Sequence, residues 1–109
     1  MRTELPVVPQ LRLELAAPDT RDAVRAGELV GDPVRAGILV ILRDGPHCVC
    51  EMAAALGERQ NNVSNHLARL REAGLARASR HRVDARWIYY ERDEQAITGA
   101  AEALRAVLA

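Results

Sequence analysis

Cys48 and Cys50, two thiols with one residue between them, are the whole cysteine content of this 109-residue chain. They stand in the run Gly45-Pro46-His47-Cys48-Val49-Cys50-Glu51-Met52. A disulfide closing so short a loop removes little unfolded-state entropy and strains its own geometry, so the pair is a poor structural staple. Free thiols in a reducing, cytoplasmic compartment fit better. Their chemistry points to a thiol-seeking ion or an oxidant as input. His47 and Glu51 would add nitrogen and carboxylate ligands, which favour zinc or cadmium. The plainer readings are a solvent-facing turn histidine and two small core hydrophobes. On a regular helix, residues i and i+2 stand about 200° apart, so both thiols cannot face inward together. For the same reason they can share one ion only where the helix start is distorted. A position at a helix N-terminus is expected to lower the thiol pKa toward the reactive thiolate.

A second group of side chains follows at Gln60, Asn61, Asn62, Ser64, Asn65, His66 and Arg69. Amide side chains pair bidentately with adenine, so Gln60, Asn61 and Asn62 are candidate readers of base edges. Ser64, Asn65 and Arg69 suit phosphate contacts or second-line reading, and His66 either meets the DNA or packs against the hairpin beyond. Arg80, Arg82 and Arg86 are candidates for backbone or minor-groove contact. Net charge is zero, but residues 59–92 hold eight Arg against three acidic residues, while 1–58 hold six against nine and 93–109 one against three. A basic middle between acidic flanks is what a localised phosphate-binding face requires; the bland alternative is a solvated basic face. All fifteen basic residues are Arg.

The elements that must position these groups are legible in the pattern. Residues 1–19, with three of the five prolines and a Leu11, Leu13, Leu15 alternation, form an N-terminal arm, and residues 20–109 form one domain. Asp19 or Thr20 can cap a helix to about Val30, and Gly31-Asp32-Pro33 supplies a stop, a cap and a first-turn proline for the next. That second helix carries Val34, Ile38, Ile41 and Leu42 on one face. A third begins near Cys48 with Val49, Met52, Ala53 and Leu56 inward, and Gly57 suits a left-handed turn. A fourth buries Val63, Leu67 and Leu70 and ends at Gly74, with Arg59 a weak cap at its start. Segments 75–80 and 86–92 predict a hairpin, since the second holds every aromatic residue, Trp87, Tyr89 and Tyr90. Asp93 can cap a last helix whose stripe Ile97, Ala101, Leu104 and Leu108 has no evident partner inside the subunit.

The fold class is therefore mainly α with a small β-hairpin, a winged helix-turn-helix. The unpartnered stripe predicts a homodimer through the N-terminal and C-terminal helices. No stretch approaches the ~20 apolar residues of a membrane span, and the N-terminus lacks a signal-peptide pattern. A thiol enzyme lacks support, because no Cys-x-x-Cys follows a strand and no Gly-rich cofactor loop is present. A winged helix used only for protein contacts is opposed by the basic middle segment.

From Gly31 to Tyr90 the chain resembles the ArsR/SmtB family of winged-helix metalloregulators. The resemblance rests on Gly31-Asp32-Pro33-Val34-Arg35-Ala36-Gly37-Ile38-Leu39, Cys48-Val49-Cys50-Glu51-Met52, Val63-Ser64-Asn65-His66-Leu67, Leu70-Arg71-Glu72-Ala73-Gly74-Leu75 and Trp87-Ile88-Tyr89-Tyr90. It implies a homodimeric repressor that leaves double-stranded operator DNA when a toxic metal or metalloid binds. The Cys-Val-Cys element is similar to that of the arsenic-responsive branch, with arsenite or antimonite as effector at Cys48 and Cys50 and no catalytic cofactor. That branch has a third cysteine three positions after the second, where this chain has Ala53. Other sensor sites of the family need His on the last helix or an N-terminal cysteine, and residues 93–109 hold no His and 1–47 no Cys. A redox-sensing or a cadmium- or zinc-responsive repressor of the same fold is the alternative.

Overall fold

The computed structural model describes residues 18–79 and 86–109. The N-terminal arm and the hairpin tip, with Arg80 and Arg82, lie outside the described residues. Five helices and two short strands follow in the order α1 (Pro18–Val30), α2 (Pro33–Leu42), α3 (Val49–Leu56), α4 (Gln60–Glu72), β1 (Ala76–Ala78), β2 (Tyr90–Arg92) and α5 (Glu94–Leu108). Helix α1 begins at Pro18, so Asp19 and Thr20 stand in its first turn and do not cap it. Proline is at home there because a first-turn N–H has no intrahelical partner to lose.

Asp32 is the N-cap of α2, and its Oδ1 accepts from the N–H groups of Val34 (2.8 Å) and Arg35 (3.2 Å). Burial acts against the carboxylate, but those two N–H donors, with His66 and Arg35 nearby, outweigh it and hold the Asp32 pKa below its ordinary value. Helix α2 runs through the centre of the core. Ile38, Leu39 and Leu42 are buried with Met52 and Ala53 of α3, Val63, Leu67 and Leu70 of α4, and Leu75 and Ala76. Gly37 lets α2 and α3 cross closely, since a Cβ there would stand 2.5 Å from Leu56 Cδ2.

Between α3 and α4 the chain reverses at Gly57, which adopts φ 64° and ψ 33°. This left-handed conformation is costly for a residue with a Cβ, so glycine at this point lets the two helices turn tightly. Strands β1 and β2 pair antiparallel with Ala76 opposite Arg92 and Ala78 opposite Tyr90. The ladder is shorter than the aromatic run predicts: Trp87 and Ile88 are about half exposed and precede β2. Strand preference becomes strand only where a partner backbone is in reach.

The last helix departs from expectation more clearly. Asp93 caps it as the sequence indicates, its Oδ1 accepting from Ala96 N at 3.0 Å. Yet α5 has a partner within the subunit, because it packs along α1. Small side chains make the fit: Ala26 and Leu29 of α1 face Ala96, Gly99, Ala100 and Ala103 across a shallow groove, and Leu104 lies against Gly27. Of the proposed stripe, Ile97 and Leu104 are half-buried while Ala101 and Leu108 are exposed. The pairing is not marked in the sequence because α1 presents Ala26 and Gly27 to α5, residues with too little bulk to mark an apolar face. Among the described residues no helix is long and apolar enough to cross a membrane.

Candidate functional site

Cys48 is the N-cap of α3, with extended backbone (φ −89°, ψ 165°), and Cys50 lies in the first turn. The 200° separation of a regular helix therefore does not apply. One cysteine precedes the helix, and its side chain turns back over the first turn to bring the two sulfurs 2.6 Å apart. Both are free thiols, Cys48 buried and Cys50 half-buried. A capping box surrounds Cys48: the Glu51 carboxylate accepts from Cys48 N at 3.0 Å, and the Cys48 sulfur receives the backbone N–H of Glu51. Cysteine thus fills the place usually held by Ser or Thr in this motif.

The electrostatics also differ from expectation. Burial, followed by the hydrogen bond with Cys50, pushes the Cys48 thiol up to about 11, and the N–H of Glu51 only partly offsets this. Desolvation outweighs the helix end here. Glu51 moves the other way, its carboxyl lowered chiefly by the backbone hydrogen bond from Cys48.

His47 is half-buried, not a free turn residue. Its Nδ1 lies 2.9 Å from Gly45 O; since a carbonyl can only accept, that nitrogen carries the proton. Its backbone forms a two-bond bridge to β2: His47 N donates to Tyr90 O (3.0 Å), and Tyr90 N donates to His47 O (2.8 Å). The Arg71 guanidinium of α4 lies 5.2 Å from the Tyr90 ring centroid. Among the described residues no three His, Cys, Asp or Glu side chains are grouped to hold a metal. Ala53, at the position of the missing thiol, is buried in the core.

On α4 the candidate readers divide by partner. Gln60, Asn61, Ser64, Asn65 and Arg69 are exposed, opposite the buried stripe Val63, Leu67 and Leu70. Asn62 is half-buried, and its Nδ2 donates to Glu58 Oε2 at 2.9 Å across the turn. His66 is turned neither outward nor toward the hairpin. Its Nδ1 is 3.0 Å from Arg35 Nη1 and 3.7 Å from Asp32 Oδ1. A guanidinium only donates, so Nδ1 is the acceptor of this contact. Arg35 also donates to Leu29 O (2.8 Å) and Glu28 O (2.9 Å), tying α1, α2 and α4 at one point. Sequence reasoning overlooked Arg35, for a single Arg among fifteen carries no mark of such a role.

Part of the basic middle segment is spent internally. Arg77 donates to Glu91 (3.0 Å) and Asp93 (2.9 Å), while Arg92 grips Glu94 and Leu39 O. Arg86 also has an interaction within the protein.

A model described as "Bacterial regulatory protein, arsR family" matches residues 32–78, the span from the α2 cap through β1. The arsenical resistance operon repressor of Escherichia coli is 38% identical over 64 residues, 58% of this chain and 52% of that protein. An arsenic resistance transcriptional regulator of Pseudomonas putida is 34% identical over 80 residues, 72% of this chain and 67% of its own length. A crystal structure titled as a possible transcriptional regulator for arsenical resistance superposes with TM-score 0.62 and 31% identity, covering 77% of this chain and 80% of that one. The chain belongs to the arsR family. It spans about half the length of the first curated relatives it matches. In this arsR-family chain the helix-turn-helix is α3, the Gly57 turn and α4, with β1 and β2 forming the wing strands. The thiol pair thus sits at the start of the helix-turn-helix, Cys48 as the cap of α3 and Cys50 in its first turn.

Proposed function

We propose that this chain is a DNA-binding transcriptional repressor that acts as a homodimer in the cytoplasm. In this reading it releases its operator when trivalent arsenic or antimony bridges Cys48 and Cys50. The observation that carries the proposal is the convergence of the two sulfurs at the N-cap of α3, the helix packed against α4. Arsenite supplies a soft, thiophilic centre for which two adjacent thiols are a fitting ligand set. The Cys48 sulfur is also the cap acceptor, so an ion that takes its lone pair competes with the first turn of α3. The third ligand comes from outside the pair: hydroxide, a small cellular thiol, or the N-terminal arm of a second subunit.

The exposed face of α4 reads DNA in this proposal. Gln60 and Asn61 address base edges, and Ser64, Asn65 and Arg69 address phosphates, with Arg80, Arg82 and Arg86 on the wing. Asn62 contributes only by leaving Glu58, and His66 only by leaving Arg35. Exposed apolar side chains on the paired helices, Val24 and Val30 of α1 with Val107 and Leu108 of α5, support a dimer interface built from α1 and α5 together.

The test is an operator-binding titration with and without arsenite on the wild type, Cys48→Ser and Cys50→Ser, with zinc and peroxide as parallel inputs. Both variants are expected to bind operator and to resist release. A swing from 1:99 to 99:1 needs about 5.5 kcal/mol of preference for the released state, most of which should vanish with either thiol. Release of a variant at wild-type arsenite concentration would sink the site. The close sulfur contact also favours a second reading, oxidation of the pair, and release of the wild type by peroxide alone would establish it. Affinity should fall steeply with salt as phosphate contacts are screened.

A further inference from the structure

The His47–Tyr90 bridge makes the wing part of the thiol site. Cys48 is covalently next to His47, and the bridge consists of two backbone hydrogen bonds, 3.0 and 2.8 Å. On its other side Tyr90 pairs with Ala78 of β1, and the adjacent Tyr89 O accepts from Ser79 N at 2.7 Å. Tyr90 therefore stands between the segment leading into Cys48 and the strand that leads toward the wing tip. Its half-buried ring meets the core on one side and the Arg71 guanidinium of α4 on the other. The paired backbones of His47 and Tyr90 give a displacement of Cys48 a direct route into β2, and the Tyr90 ring extends that route to Arg71 in the last turn of α4.

We infer that Tyr90 is a positioning residue that relays occupancy of the Cys48–Cys50 pair to the wing and to the recognition helix. This inference rests on the effector reading above. It assigns two outputs to a single input: α3 is disturbed through its cap, and the wing is pulled through the bridge. Ligation draws the Cys48 sulfur from the Glu51 N–H that it caps and shifts the Cys48 backbone, the shift moves His47, and the antiparallel bridge carries it into β2. The relay needs the His47 N–H and the Tyr90 ring, but not the imidazole of His47, whose Nδ1 is occupied locally by Gly45 O.

The experiment measures operator affinity without and with arsenite for the wild type, Tyr90→Phe, Tyr90→Leu, His47→Ala and His47→Pro, and counts titratable thiols in each state. Tyr90→Phe keeps the ring over Arg71 and His47→Ala keeps the backbone N–H, so both should retain the wild-type ratio of affinities. Tyr90→Leu and His47→Pro should lose about tenfold of that ratio, within the span usual for coupling between sites, while arsenite still protects both thiols. The Tyr90 amide resonance should shift on adding arsenite to the wild type while its exchange stays slow, because the bridge moves without opening. If His47→Pro does not fold, Tyr90→Leu and the amide shift decide the matter. A Tyr90→Leu protein that keeps the full wild-type ratio, or a Tyr90 amide unmoved by arsenite, overturns the relay alone. Wild-type thiols that stay titratable and an affinity that arsenite does not change overturn the effector reading, and the relay with it.

Discussion

In the turn that carries the thiols, side chains and backbone serve the fold directly: the Cys48 sulfur caps α3, the Glu51 carboxylate closes the capping box, and the His47 backbone holds β2. On the outward face of α4, Gln60, Asn61, Ser64 and Asn65 are exposed and lie opposite the core. Under the proposed function, the contrast separates two kinds of functional residue. A ligand-binding group that also caps a helix cannot change its chemistry without moving backbone, which is what a sensor needs. A DNA-reading group free of structural duty can be exchanged without harm to the fold, which is what specificity needs.

Four measurements break or sharpen this comparison, beginning with the layer that both regions share. Leu70 is fully buried between α4 and the core. Leu70→Ala should cost about 2–5 kcal/mol in denaturant unfolding and weaken operator binding and effector response together. A cost near zero would mean that α4 is not seated as described.

Smaller and confined to DNA is the effect at Gln60 or Asn61. Replacement of either by Ala should lose about 1–3 kcal/mol of discrimination at one base pair. Unfolding free energy should stay within about 0.5 kcal/mol of the wild type. A substantial loss of stability would erase the distinction between the two regions.

At the thiol turn the two changes of Cys48 should diverge. Cys48→Ser keeps a cap acceptor and should match the wild type in stability, whereas Cys48→Ala should lose about 1 kcal/mol, the usual worth of an N-cap side chain. Equal thermal midpoints for the two would show that the sulfur has no capping role.

The gentlest test is acid. Asp32 and Glu51 both have folded pKa values below their ordinary ones of 3.8 and 4.5. A depressed pKa means the unfolded chain binds the proton first. Their contribution is therefore whole above those ordinary values and is lost as pH falls through the lower folded ones. Asp32→Asn keeps a cap oxygen that does not titrate, so its thermal midpoint should decline less steeply in this window. Identical pH profiles would remove Asp32 from the account.

Much of this molecule was legible in its sequence because the signals are local. Asp32-Pro33 at the start of α2, Gly57 in its left-handed turn, Asp93 before α5, and the stripe Val63, Leu67, Leu70 each depend on residues within a few positions, and each stands as the pattern indicates. The thiols were legible as a pair for the same reason. Their geometry was not: whether Cys48 is the first helical residue or the cap is a difference of one position, yet it decides whether the sulfurs diverge or meet. The raised Cys48 pKa likewise follows from burial, which the folded core imposes. The α1–α5 pairing, the Arg35–His66 contact between α2 and α4, and the His47–Tyr90 bridge join residues far apart in the chain. No local pattern specifies such contacts, because each depends on where whole elements come to rest against a common core.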